Sequence, residues 1–333
     1  MHKLYQNITE LMLYPLKFKP LLKERIWGGT SLRKRLASAR LKEDARIGES
    51  WEISGFEDEQ SVVAEGRLKG NSIGELMEVF MGELVGDPIY NQFGTEFPLL
   101  VKYMDADDLL SIQVHPGNAQ AARLHNAWGK SEMWYITECE EGAEILVGFK
   151  EGTTPEKFVA ALANGTLPDL LNRHTVHKGD AFYIPAGTVH CICGGIRLVE
   201  IQQTSDITYR IYDWERVDAK GRMRELNPEL ALQAIRFDSD VEYVRTKPSV
   251  ANEVVELVDC THFTTNLLKV EGAYERDLSW LQSFVIYICT EGEGELIYSG
   301  GSVKIAEGDV YLMPAIEQTA KFKGNLTVLE SYC

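Results

Sequence analysis

A chain of 333 residues has room for two ordinary domains, each with its own buried core. Apolar residues at 44% and charged residues at 25% are those of a soluble globular protein. The formal net charge of −16 argues against nucleic acid or an anionic membrane surface as partner, and no window reaches the ~18 apolar residues of a membrane span.

The first ten residues carry no apolar leader region, so a cytoplasmic setting is expected. Six scattered cysteines, at 139, 191, 193, 260, 289 and 333, read as reduced thiols in a chain that needs no staples. Cys191 and Cys193 follow His190 closely, but on a continuing strand both face away from it.

In chain order, the first clear element is a helix. Ser72-Ile-Gly-Glu75 is a capping box, apolar Ile73, Met77, Phe80, Met81 and Leu84 recur at helical spacing, and Gly86 can end the run. Strands follow at 97–103 and 109–114, a short helix at 118–126, then strands at 132–137 and 144–148. Thr154-Pro155 opens a second helix with a cap residue and a proline at the first helical position. After strands at 181–185 and 196–202, Asn227-Pro228 opens a helix over 229–237 that connects two halves. Strands at 263–270, 284–289, 294–298 and 310–314 complete the chain. A spacing of about ten residues with Gly and Asp turns favours a sandwich or barrel over alternating βαβ units.

The two halves repeat. Lys178–Ala186 (KGDAFYIPA) matches Glu307–Ala315 (EGDVYLMPA), and Ser131–Thr137 can be laid over Ser283–Cys289. In that overlay Glu132 falls on Phe284 and His190 on Thr319. Two similar barrels are implied, the second without the chemically useful side chains.

Those side chains cluster in the first half. In an extended strand Ser111, Gln113 and His115 share one face, as do Lys130, Glu132 and Trp134. Gly179–His190 reads G-x5-P-x-G-x2-H, a turn, strand and second turn that present a histidine. Singly, a strand histidine is usually just a satisfied polar residue and a lone glutamate a solvated one. Together, one amide oxygen, two imidazoles and one carboxylate form an N/O donor set suited to a divalent transition metal, with Gln113, His115, Glu132 and His190 as ligands.

A lysine aimed into a small barrel is costly unless an anion meets it, which singles out Lys130. Ser111 stands in the same relation to Gln113. Lys102 is a further candidate, with a solvated strand end as its plain alternative. Arg210 follows the strand carrying Glu200 and Gln202, and its plain alternative is a salt bridge at the rim. A metal with a lysine, an arginine and a hydroxyl suits a small phosphorylated or carboxylated substrate. His2, His125, His174, His177 and His262 are expected to carry no role, with His174 and His177 exposed.

At these residues the chain resembles the type I mannose-6-phosphate isomerases (phosphomannose isomerases) of the short bacterial kind, built on cupin barrels. The matching stretches are 20–29, 48–54, 97–116, 129–135, 179–190 and 199–214, with a weaker likeness to the C-terminus. Gln113-Val-His115-Pro116, Lys130-Ser131-Glu132 and the Pro185–His190 turn are the specific combination. The expected architecture is mainly β, two cupin-type jelly-roll barrels with a few short helices. Residues 1–250 would form the catalytic cupin domain and 251–333 a cupin-like barrel without metal ligands.

The resemblance implies one zinc ion per chain on Gln113, His115, Glu132 and His190. It implies catalysis by Arg210 and a phosphate site near Ser111 and Lys130. The activity implied is interconversion of mannose 6-phosphate and fructose 6-phosphate. Two rival readings stay open: a metal-dependent cupin oxygenase, because His/Glu sets also hold Fe(II) with open positions, and a non-catalytic sugar-phosphate-binding cupin.

Overall fold

The computed structural model describes residues 13–35, 45–217, 221–237 and 242–333; the leader stretch and His2 considered above lie outside these residues. The chain is mainly β. In order, its elements are β1 (Leu21–Gly29), β2 (Ile47–Ile53), α1 (Ile73–Phe80), α2 (Gly82–Val85), α3 (Asp87–Phe93), β3 (Leu99–Ala106), β4 (Ile112–Val114) and α4 (Asn118–His125). Then come β5 (Glu132–Cys139), β6 (Glu144–Phe149), α5 (Pro155–Ala163), β7 (Leu171–Thr175), β8 (Ala181–Ile184), β9 (His190–Ile192), β10 (Ile196–Gln203), β11 (Tyr209–Tyr212) and α6 (Pro228–Ala234). The last stretch holds β12 (Val254–Asp259), β13 (Thr264–Asp277), β14 (Val285–Tyr298), β15 (Gly301–Ala306), β16 (Val310–Met313) and β17 (Thr319–Tyr332).

These elements form two compact units, each assembled from separated stretches. One comprises Pro20–Trp51 and Leu99–Thr246; the other comprises the described residues up to Lys19, Glu52–Pro98 and Lys247–Cys333. The helix-rich segment Glu52–Pro98 thus folds with the C-terminal strands.

In the first unit an open six-stranded sheet, β1-β2-β3-β10-β5-β8, and an open five-stranded sheet, β11-β4-β9-β6-β7, supply a shared interior. Met104, Trp134, Phe182 and Leu198 from the larger sheet pack with Ile145, Val147 and Ile192 from the smaller. Alternation then dictates which polar side chains join them. On β5, Glu132 and Trp134 face inward; on β10, Glu200 and Gln202; on β3, Lys102. The outer face of the smaller sheet is covered by a second apolar cluster, including Ile112, Val114 and Cys191, with Phe158 of α5 and Ala231 of α6.

In the second unit a single sheet runs β12-β13-β17-β14-β15, with β16 also on β14. The repeated turn is present in both units. Gly179 and Gly308 take φ values of 91° and 90°, a left-handed conformation that glycine adopts without strain. Asp180 accepts the His177 N–H at 2.7 Å, and Asp309 accepts the Ala306 N–H at 3.0 Å. One sequence pattern therefore builds one turn twice.

The fold departs from expectation at four places. The helix begun by the Ser72–Glu75 box, whose reciprocal bonds are 3.3 and 2.8 Å, stops at Phe80 rather than running to Leu84. Met81 takes φ 47°, and the break turns Leu84 and Val85 into the core while Met81 stays exposed. The strands expected at 284–289 and 294–298 are one strand, β14. It pairs along its length with the equally long β17 and absorbs a register shift between Cys289 and Glu291. The repeat also slides by one residue. Glu132 pairs with Ile184 on β8, and Val285 pairs with Met313 on β16, so Val285 rather than Phe284 is the counterpart of Glu132. Finally, Asn227 does not cap α6 with its side chain; its Oδ1 accepts the Arg210 N–H at 3.3 Å.

Candidate metal centre

Adjacent strands of the smaller sheet bring two donors together, because Gln113 on β4 pairs directly with His190 on β9. His115 follows at the next inward position after Gln113. The larger sheet supplies Glu132 at the start of β5. His115, Glu132 and His190 are each 1% exposed, and their donor atoms lie within 4.8 Å of one another.

Individual separations are closer. His115 Nε2 stands 3.6 Å from Glu132 Oε2, and His190 Nε2 stands 3.5 Å from Glu132 Oε1. Gln113 Nε2 is 3.3 Å from His190 Nε2. Donors about 2.0–2.1 Å from one tetrahedral ion would be roughly 3.4 Å apart, so the spacing fits a shared cation.

The surrounding bonds prepare the imidazoles for this. His115 Nδ1 lies 2.9 Å from the Ile207 carbonyl and His190 Nδ1 2.9 Å from the Thr188 carbonyl. A carbonyl only accepts, so each Nδ1 carries the proton and each Nε2 presents a lone pair inward. Burial, with Lys130 nearby, holds His115 well below the ordinary histidine value; burial also lowers His190, to about 4. Both rings are therefore neutral near pH 7, as metal ligands must be.

Glu132 has two buried oxygens without a hydrogen bond. Lys130 Nζ lies 2.7 Å from Oε2, an ion-pair contact outside hydrogen-bond geometry. Burial, reinforced by Glu200, pushes the Glu132 carboxyl up to about 7. A buried carboxylate that lacks hydrogen bonds and stands between two neutral imidazoles is the strongest sign that this donor set fits a dication. Gln113 turns Nε2 toward His190 and accepts from Ser111 Oγ through Oε1 at 3.2 Å. A half-turn of that amide offers its oxygen to a cation.

Behind the donors runs a chain of alternating charge. Lys130 Nζ lies 3.3 Å from His115 Nε2 and 3.7 Å from Glu200 Oε1. Lys102 donates to Glu200 Oε1 at 2.8 Å and to Gln202 Oε1 at 2.7 Å, and Trp134 Nε1 donates to Glu200 Oε2 at 3.1 Å. Burial opposes the Glu200 charge, but Lys102 and Lys130 more than reverse this and hold its carboxyl at about 2. The Trp134 ring meets His190 edge-on, with centroids 5.4 Å apart.

The expected residues are thus close neighbours, with some corrections. Lys102 is no solvated strand end; it is buried at 5% exposure in an ion pair. The anions facing Lys130 are the protein's own Glu132 and Glu200. Arg210 pairs across β11 and β4 with Gln113. Its Nη1 donates to the Glu225 carbonyl at 3.0 Å, while its buried Nε has no hydrogen bond. His174 is half-buried against the Phe182 ring, not exposed, whereas His177 is exposed. His125 bonds Tyr209 Oη at 2.8 Å. The six cysteines are thiols rather than disulfides, and Cys191 packs in the apolar cluster outside the sheet, away from His190's inward side.

Sequence reasoning named Glu200 and Gln202 without giving them a role. The available signal was that Glu200 and Gln202 continue the strand face begun by apolar Ile196 and Leu198 in Ile196–Gln203.

Comparison with known proteins agrees with this architecture and site. Residues 15–150 match the family model for the phosphomannose isomerase type I catalytic domain, and residues 253–333 match that for the mannose-6-phosphate isomerase cupin domain. The chain is 38% identical to mannose-6-phosphate isomerase ManA of Bacillus subtilis over 90% of its own length and 93% of that protein. It is 33% identical to mannose-6-phosphate isomerase of Streptococcus mutans, covering 96% and 99% of the two chains. The crystal structure of mannose 6-phosphate isomerase from Bacillus subtilis superposes with a TM-score of 0.84 at 32% identity, over 96% of this chain and all 100% of that one. A mainly β enzyme fold carries a buried His/Glu/His set. The chain belongs to the type I phosphomannose isomerase family.

Proposed function

We propose that this chain is a zinc-dependent aldose–ketose isomerase that interconverts mannose 6-phosphate and fructose 6-phosphate. The observation that carries the reading is the Glu132 carboxylate, buried without hydrogen bonds between the Nε2 atoms of His115 and His190. Gln113, His115, Glu132 and His190 would hold one zinc ion per chain. Bound there, the ion supplies a Lewis acid for the carbonyl of the open-chain sugar.

The remaining work falls to side chains. With Glu132 engaged by a dication, Lys130 loses its nearest counter-charge and is free to meet a substrate anion. Ser111 and Lys102 complete the proposed substrate contacts. Arg210, on the face of Gln113, acts on the sugar oxygens during ring opening and hydrogen transfer between C2 and C1. The buried lysines beside the donors favour a sugar phosphate over the small apolar or oxygen-accepting substrates of a cupin oxygenase.

In this reading the catalytic residues belong to an N-terminal cupin-type jelly roll within 1–250. Residues 251–333 are a second, cupin-like barrel that supports it without metal. The enzyme works as a soluble cytoplasmic protein.

A coupled assay following fructose 6-phosphate tests the proposal. Turnover that a chelator abolishes and stoichiometric zinc restores is the expected result. No turnover of mannose 6-phosphate by zinc-loaded protein would overturn it.

A further inference from the structure

Gln202 is wholly buried at the end of β10, two residues beyond Glu200 and on the same face. Its amide is oriented without ambiguity. Nε2 donates to the backbone carbonyls of Gln203, at 2.9 Å, and Ser205. Both of those partners only accept, so the oxygen must point the other way, at Lys102 Nζ 2.7 Å away. Lys102 also donates to Glu200 Oε1 at 2.8 Å, and its ammonium sits 5.5 Å from the Trp51 ring centroid.

An ammonium has three N–H donors on a flexible stem. Glu200 supplies the counter-charge, and a single ion-pair contact leaves the group free to swivel. A second, neutral acceptor fixes it. With Glu200 and Gln202 each taking one N–H, the direction of the third is set by geometry. We infer that Gln202 is a positioning residue for the isomerisation: its backbone-anchored amide aims the remaining Lys102 N–H at the substrate. The inference rests on the isomerase reading and on its assignment of Lys102 to the substrate.

The same amide also ties down the turn at 203–205, near the Ile207 carbonyl that orients His115. A purely structural role would therefore act through the turn or the metal, independently of Lys102. A double-mutant cycle separates these roles. Values of kcat/KM for mannose 6-phosphate are measured for wild type, Gln202→Met, Lys102→Met and the double variant, all with zinc content recorded.

Each single change is expected to lower kcat/KM by about tenfold or more, the size of a lost hydrogen bond to a charged group. The double variant should be no worse than Lys102→Met, at full zinc occupancy. Losses that multiply, or a Gln202→Met enzyme equal to wild type, overturn the inference while leaving the isomerase reading intact. An inactive wild type overturns the isomerase reading itself, and the inference with it. If Gln202→Met does not fold, Gln202→Glu is put through the same cycle. It keeps an acceptor toward Lys102, and additive losses there are equally fatal.

Discussion

Lys130 lies two residues before Glu132, the first residue of β5, and their Nζ and Oε2 are 2.7 Å apart with both side chains almost fully buried. A cation and a carboxylate removed from water together stabilise one another only while both are present. The pair stands where a metal would compete for the carboxylate. Its consequences are measurable with and without zinc.

Replacing Lys130 with Met should destabilise the metal-free protein by roughly 3 kcal/mol, because Glu132 is left charged and unpartnered or must take up a proton. In the zinc-loaded protein the dication takes over as counter-charge, so the loss should shrink. Thermal unfolding of wild type and variant in both states checks this; equal losses in the two states count against zinc at Glu132.

Lys130 and Arg210 are expected to fail differently in catalysis. A phosphate contact is made equally in ground and transition states, so Lys130→Ala should mainly raise KM. In the proposed mechanism Arg210 meets charge that develops during the reaction, so Arg210→Ala should cut kcat by about a hundredfold, with zinc still bound. Steady-state kinetics with the two effects exchanged would remove this division of labour.

Glu132→Gln keeps the shape of the side chain and discards the one anionic donor. The fold should survive, while zinc affinity falls by more than the ten- to hundredfold typical of losing an outer-shell partner. Dialysis against buffered free zinc, followed by elemental analysis, reads this directly. A variant as fully loaded as wild type at low free zinc means Glu132 is not a ligand.

The pH dependence of zinc uptake follows from which ligand holds a proton. In the metal-free site Glu132 titrates at about 7, raised by burial and by Glu200, while His190 stays neutral down to about 4. His115 is likewise held well below its usual value. Below pH 7 zinc must displace one proton, from Glu132, and the histidines do not compete until far lower pH. Affinity should therefore fall about tenfold per unit between pH 7 and 5 and level off above 7. Two unperturbed histidines would instead give a steeper fall, beginning near pH 6.5. Competition titration with a chromophoric chelator distinguishes the slopes.

One zinc per chain is the expected stoichiometry. In the second unit Val285 stands at the place of Glu132 on the paired strand, and the sequence repeat places exposed Thr319 against His190. Neither side chain is a zinc ligand. Two tightly held ions per chain by elemental analysis would refute this.

Much of the candidate site was legible from local pattern. Alternation on a strand placed Gln113 with His115 and Lys130 with Glu132, and the glycine-bounded turn presented His190. The repeat was legible too, and with it the expectation that one half would lack ligands. The overlay nevertheless missed by one residue, because a seven-residue match tolerates a slide that strand pairing to β16 does not. The equivalence that pairing reveals is chemical as well as geometric. Trp134 donates to Glu200 at 3.1 Å in one unit, and Tyr287 donates to Glu330 at 3.2 Å in the other. Met81 likewise fitted the helical period, yet the packing of Leu84 and Val85 was worth more than one continued turn.

What the amino-acid order determined by itself was everything carried by short-range geometry: the mainly β character, the capped starts of α1 and α5, the paired glycine turns, and which side chains share a strand face. These depend on backbone dihedrals and a two-residue period, which neighbours along the chain settle. What only the tertiary structure decided was which distant carboxylates, lysines and amides meet in the shared interior. Lys102 and Glu200 are 98 positions apart and share no local pattern, yet they bond at 2.8 Å. β3 and β10 pair in one register alone, and burial then obliges each inward charge to find its counter-charge.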